Sequence, residues 1–182
     1  MAKAMTGTFT ITTSAAITAL GYTTTAIPIG SLIDVGDAQA LEIESVDYVY
    51  QNYNATAADQ DYEPLHVSGP FSAYAAFGAQ LMDRNNQEWL AASDNNLISS
   101  SAAWILGGTG QQGVGSDFFP DDFQKNAGRF VVNDELYLVT CVPSGAFVAN
   151  QQLICTVRIR AKVVKLSTRD WMAISLETVQ NE

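Results

Sequence analysis

The chain has one histidine, two cysteines and only four lysines among its 182 residues. A single histidine, His66, excludes every metal site built on several imidazoles and leaves one candidate base for a nucleophilic triad. Its setting, "PLHVSGP", is turn-rich and holds no sharp nucleophile motif, so a structural or surface role ranks ahead of a catalytic one. No run approaches the roughly 18–20 apolar residues that a membrane-spanning helix needs. The opening "MAKAMTGTFTITTSAAIT" has one Lys and no compact apolar stretch, so no signal peptide is expected. Positive charge is scarce as well. Nine Lys and Arg stand against nineteen Asp and Glu, a formal net charge of −10, which favours solubility and opposes broad contact with phosphate backbones. Asp outnumbers Glu, a bias of salt-loving proteins, although a total charge of 15% is low for one.

Helical periodicity over 10 to 15 residues is also missing before the C-terminal tail, which argues against a βαβ architecture. What is present is β texture. Thr, Val, Ile, Tyr and Phe collect at 6–17, 22–29, 41–53, 71–82, 97–106, 128–133, 135–142 and 152–166, between clusters of Gly, Pro, Asn and Asp. Eight strands in one domain spanning 1–182 predict an all-β sandwich, and an eight-stranded jelly roll is its natural form. The last two long strands read as a hairpin centred on Val148. That register sets Tyr137, Val139 and Cys141 opposite Ile159, Val157 and Cys155 on one apolar face. Cys141 and Cys155 are then a cross-strand disulfide or, the preferred reading, two buried free thiols. The tail "STRDWMAISLETVQNE" reads as a helix capped by Ser167 with Asp170, or as a final strand.

Two motifs invite chemistry and are resisted by their surroundings. "GTGQQG" (Gly108, Gly110, Gly113) matches a dinucleotide fingerprint, but the Pro- and Asp-containing "VGSDFFPDDF" follows where a helix must open. "DQDYEP" (Asp59, Asp61, Glu63) resembles the start of a calcium loop, yet Pro64 and Pro70 stand where an EF-hand needs Gly and a carboxylate. The three acids remain a weak candidate for a looser cation site, and a solvated acidic loop is the better reading. No cofactor is implied. Nineteen carboxylates contain many possible pairs, but nothing selects one for glycoside hydrolysis.

Five of the nine basic residues fall in one stretch, "TVRIRAKVVKLSTR": Arg158, Arg160, Lys162, Lys165 and Arg169. On a strand, Arg158, Arg160 and Lys162 share one side, with Val157, Ile159, Ala161 and Val163 on the other. A single-stranded nucleic-acid reader adds exposed aromatic residues or a wider basic patch, and there is no aromatic residue between Leu153 and Asp170. Pairing with carboxylates of this chain or of a neighbouring subunit ranks first. Anionic lipid ranks second, and direct nucleic-acid binding last.

In the opening "MAKAMTGTF", in "NDELYLVTCVPSG" and in the final strand "QQLICTVRIRAKVVKL", the chain resembles the small major capsid protein of icosahedral, internal-membrane-containing haloarchaeal viruses and their Thermus phage relatives. The resemblance implies a single jelly roll standing vertically in the capsid. It also implies pseudo-hexameric capsomers shared with a larger single-jelly-roll major capsid protein, above a membrane enclosing double-stranded DNA. Penton proteins or membrane proteins beneath the shell are further implied partners. The protein would be made in the host cytoplasm, would end in the virion and would not be an enzyme. The missing basic arm agrees, because a membrane between shell and genome removes the need to neutralise nucleic acid. The acidic loops at 59–63 and 117–122 are then candidates for partner or ion contacts. The alternative is a carbohydrate-binding jelly-roll module of a secreted or virion-borne protein. It needs exposed aromatic residues beside a polar groove, for which Trp89, Tyr62, Phe118 and Phe119 are the candidates.

Overall fold

The computed structural model describes residues 2–55, 62–65, 69–106, 111–114 and 129–179. Among the described residues eleven strands form two antiparallel sheets. The long ones match the β-branched and aromatic stretches: β2 (Phe9–Ile17), β3 (Gly21–Pro28), β4 (Gln39–Asn54), β6 (Tyr74–Met82), β7 (Leu97–Leu106), β10 (Glu135–Ser144) and β11 (Gln151–Lys165). Short ones are β1 (Lys3–Ala4), β5 (Tyr62–Pro64), β8 (Gln111–Val114) and β9 (Arg129–Val131).

In the first sheet β11 lies between β2 and β4, and β9 closes the far edge of β4. In the second the order is β3, β10, β6, β7 and β8. Setting aside β1, β5 and β8, the remaining eight strands pair first with last, second with seventh, third with sixth, and fourth with fifth. This nesting of strand pairs, wrapped over two sheets, is a jelly roll. The three extra strands extend its edges.

The expected pairing of the last two long strands is wrong. β10 pairs with β3 and β6, whereas β11 pairs with β2 and β4, so the two belong to opposite sheets. Residues between them cross from one sheet to the other. Gly145, at φ +150°, passes so close to Ala75 and Phe71 that an added Cβ would meet the Ala75 Cβ at 2.8 Å. Phe147 then packs on Phe71 with ring centroids 4.7 Å apart. The hairpin reading assumed that sequence neighbours pair. It also put the wrong side of β10 inward: Leu136, Leu138 and Val142 enter the main core, while Val139 and Tyr137 join a second cluster with Met82, Leu90 and Leu97. The face of β11 is as expected, with Cys155, Val157, Ile159, Ala161 and Val163 all buried in the core.

The core lies between the sheets and is filled by Ile, Leu, Val and Phe side chains, each of which stabilises by about 1.5–3 kcal/mol when fully buried. Two tyrosines of β4 cross it. Tyr48 and Tyr50 donate to the Ser99 and Ser101 carbonyls of β7 at 3.1 and 3.2 Å, tying sheet to sheet. The tail is helical: α1 (Thr168–Val179) is capped by Ser167, whose Oγ accepts from the Asp170 amide at 3.2 Å. Its Trp171 and Ile174 cover Ala40, Val132, Val164 and Leu166. Val164 and Ala40 alternate with core-facing neighbours, so α1 sits on the outer face of the first sheet.

Candidate functional site

The basic stretch divides in two. Toward the end of β11 the charges are paired within the chain. Lys162 Nζ lies 3.1 Å from Glu42 and 3.3 Å from Glu44 across the β4 ladder, and Lys165 pairs with Asp37. These contacts raise the Lys162 amine, chiefly through its hydrogen bond to Glu42, and lower the Asp37 carboxyl, chiefly through its hydrogen bond to Lys165. Earlier on the strand, Arg158 and Arg160 project from the outer face, exposed, with no salt bridge among the described residues. Their ladder neighbours are Thr12 and Thr10 on β2 and Asp47 and Ser45 on β4. Arg169 is exposed in the first turn of α1.

The outer face of the second sheet carries a feature that sequence reasoning missed. Ala76, Gly78, Ala102 and Cys141 make the floor of a groove of about 420 Å³, and Tyr22, Tyr74, Trp89, Trp104 and Pro143 make its walls. The aromatic residues come from three strands and a connection, so no local motif announces them. Trp89 belongs to the connection between β6 and β7, which folds back over the sheet. Gln80 clamps it there, donating to the Leu90 carbonyl at 3.0 Å and accepting from the Leu90 amide at 2.8 Å. Gly78 makes room: a Cβ there would meet the Ser101 carbonyl oxygen at 2.6 Å and the Trp89 ring at 2.8 Å. Tyr74 and Trp104 stack on the rim with centroids 6.5 Å apart. Among the described residues no lining residue is charged. A neighbouring hollow shares Tyr22 and is lined by Thr24, Asn85, Gln87 and Tyr137.

The base of the same connection holds an ion pair between distant parts of the chain. Arg129 Nη2 donates to Asp83 Oδ2 at 2.9 Å, and Asn133 Nδ2 donates to the Asp83 carbonyl. Burial pushes the Asp83 carboxyl up, and Arg129 only partly opposes this.

The other residues singled out from sequence are scattered. Glu63 lies on β5, where its Oε2 accepts from the buried Asn52 side chain at 3.3 Å. Asp59, Asp61, His66, Gly108, Gly110, Phe118, Phe119 and the rest of 117–122 lie outside the described residues. Gly113 falls in β8, paired with Trp104, so the second half of "GTGQQG" continues a sheet. Among the described residues no three His, Cys, Asp or Glu side chains converge as a metal site. Cys141 and Cys155 are both free and buried, in different sheets. Cys155 faces the core, where burial pushes its thiol up to about 12. Cys141 faces the groove. Of the aromatic candidates, Trp89 is in the groove, whereas Tyr62 packs on Tyr53 at the edge of the first sheet.

No family model matches the chain, and no curated protein does. Among solved structures, VP1 of the Trichodysplasia spinulosa-associated polyomavirus is similar at 11% identity, covering 91% of this chain and 99% of that one, with a TM-score of 0.48. The same VP1 in complex with 3'-sialyllactose is 10% identical over 91% of this chain and 97% of that one, at 0.44. Merkel cell polyomavirus VP1 in complex with GD1a oligosaccharide is 8% identical over 91% and 99%, at 0.40. With TM-scores below 0.5 these likenesses carry no weight, and the jelly-roll assignment rests on the strand order itself.

Proposed function

We propose that the chain is a structural subunit of a viral shell, one jelly-roll domain over 1–182 whose work is done by its surfaces and not by catalysis. The observation that carries this reading is the contrast between the two outer faces of one sandwich. The first sheet shows exposed Arg158 and Arg160 with no salt bridge among the described residues, and the second shows an aromatic groove with no charged lining residue among them. Such faces suit repeated contact with neighbours, where individually weak contacts add up.

In the finer reading the sandwich stands vertically, so that both outer faces meet neighbours within pseudo-hexameric capsomers. A larger single-jelly-roll protein shares these capsomers, over a membrane that encloses double-stranded DNA. Arg158 and Arg160 then meet acidic side chains of a neighbour, with anionic lipid headgroups or membrane proteins as second partners, and direct nucleic-acid contact is not expected. The resemblance of the three stretches quoted above supports the host class, an archaeal, salt-loving virus or a relative. The groove with its polar neighbour also meets the stated requirement of a carbohydrate-binding module, which is the alternative.

The test is the mass and negative-stain appearance of the purified protein, alone and with the product of a neighbouring capsid gene. Entry into capsomers or shells is expected. A stable monomer that enters none, and that binds a glycan array, would establish the carbohydrate alternative instead.

A further inference from the structure

Helix α1 has two apolar stripes and uses one. Trp171 and Ile174 are seated on the first sheet, while Arg169, Met172, Ala173 and Leu176 face away, all exposed. Met172 is 54% and Leu176 57% exposed. The four stand at i, i+3, i+4 and i+7, the spacing with which a helix enters a hydrophobic groove. The groove of Tyr22, Tyr74, Trp89 and Trp104 offers the matching surface: Ala76, Ala102 and Cys141 in the floor let a helix approach, and among the described residues no charge lines it. Thioether and guanidinium groups both favour aromatic walls, which suits Met172 and Arg169.

Helix and groove lie on opposite outer faces of the sandwich, so one molecule cannot bring its own together. The balance of charge also differs between the two sides. On the helix side exposed Arg158, Arg160 and Arg169 stand beside exposed Asp47 and Asp170. On the groove side, exposed Glu135 projects from the outer face of β10, and exposed Glu88 precedes Trp89. The geometry points to a head-to-tail contact in which the outward stripe of α1 on one copy enters the aromatic groove of a second copy of this chain. A contact of this kind uses different patches on the two partners, so it closes into a ring or runs on as a fibre. One helix in one groove falls short of the roughly 1,600 Å² of a stable interface, so each contact is weak alone and effective around a closed ring. This inference rests on the shell-subunit reading and assigns it a specific joint.

The experiment uses the full chain in sedimentation velocity at rising concentration. Met172→Glu with Leu176→Glu spoils the helix, and Tyr22→Ser with Tyr74→Ser spoils the groove. All four positions are about half exposed, so unchanged circular dichroism and Tm serve as the folding control. Each double variant alone should associate about 100-fold more weakly or not at all. An equimolar mixture should form a dimer and nothing larger, because only one helix and one groove remain intact. Oxidative cross-linking gives a second measurement. Leu176→Cys should yield a ladder of disulfide-linked species through Cys141 on the neighbour's groove floor, and the ladder should vanish with Cys141→Ser.

If the wild-type chain associates and both double variants do so equally, the joint is overturned and the shell reading stands. A cross-linked ladder that survives loss of Cys141 also overturns the joint. So does a groove whose loss abolishes binding of neutral oligosaccharides while the helix variants change nothing. A wild-type chain that stays monomeric alone and beside its neighbouring capsid protein overturns both.

Discussion

Arg129 holds a buried carboxylate, and removing it strands that charge. Asp83 is 3% exposed, against 29% for the Arg129 side chain that pairs with it at 2.9 Å. Arg129 also donates to the Asn95 carbonyl, so it fastens β9 to the connection that carries Trp89. Arg129→Met keeps an apolar stem and deletes the guanidinium. Stranding one partner of a buried pair costs about 3–5 kcal/mol, and the partial exposure of Arg129 sets the expectation near the lower end, about 3 kcal/mol. For a chain of this length that is a fall in Tm of roughly 6–12 °C.

The penalty has a definite pH dependence. Burial, the largest influence, raises the folded pKa of Asp83 above its ordinary value, with Arg129 opposing and Asp94 adding a smaller upward push. A carboxyl raised on folding contributes its full stability below the unfolded pKa and loses it as pH rises through the folded pKa. Without Arg129 the folded pKa rises further. The deficit of the variant is therefore largest near neutrality and shrinks as pH falls through the raised folded pKa of Asp83, where the carboxyl takes a proton. Urea unfolding followed by circular dichroism at several pH values measures it. Adding Asp83→Asn should restore most of the loss, since the two side chains couple directly. A deficit below about 1 kcal/mol, the scale of an exposed pair, or one that stays level with pH, refutes this account of Asp83.

Other expectations follow from the same geometry. Gly78→Ala forces a methyl against the Ser101 carbonyl and the Trp89 ring; it should cost about 1–3 kcal/mol and shift Trp fluorescence to the red, and unchanged fluorescence would mean Trp89 is not seated there. Thiol titration without reductant should find two free thiols after denaturation, with Cys155 inert in the native protein because its thiol is pushed up to about 12; one or no titratable thiol would contradict the separation of the cysteines. Leu138→Ala empties a fully buried site and should cost about 2–5 kcal/mol in the same unfolding assay, whereas a loss under about 1 kcal/mol would place Leu138 at the surface. Arg158→Glu with Arg160→Glu should leave stability within about 0.5 kcal/mol while impairing assembly, and normal particles from that variant would show that these charges are dispensable.

Eight strands, their rough bounds and the inward face of β11 were legible in the chain. Period-two alternation of Val157, Ile159, Ala161 and Val163 against Arg158, Arg160 and Lys162 is a local property that survives any tertiary arrangement. The helix at the C-terminus was legible only as one of two options. Ser167 and Asp170 supply a cap, but a short amphipathic segment forms reliably only when packing fixes it, and here Trp171 and Ile174 supply that packing. Alternation on β11 left open whether its charges would meet carboxylates of this chain, a neighbouring subunit or lipid; Lys162 and Lys165 pair within the chain, with residues that no local pattern singles out.

Strand partnership was beyond local reading. β10 is apolar on both sides, since Leu136 and Leu138 enter the core while Val139 lies under the Leu90 connection. Alternation could not say which side faced inward, and adjacency in sequence suggested a hairpin that the jelly roll does not make. The same wrapping assembles the groove from Tyr22, Tyr74, Trp89, Trp104 and Pro143, and brings Arg129 to Asp83 across 46 residues. The sequence by itself determined which residues would be strands and which face of the last one would be positive, because those follow from periods of two and local propensity. Only the tertiary structure decided which strands meet, that the cysteines part, and that four distant aromatic residues share one groove, because such contacts depend on long-range pairing that no short stretch encodes.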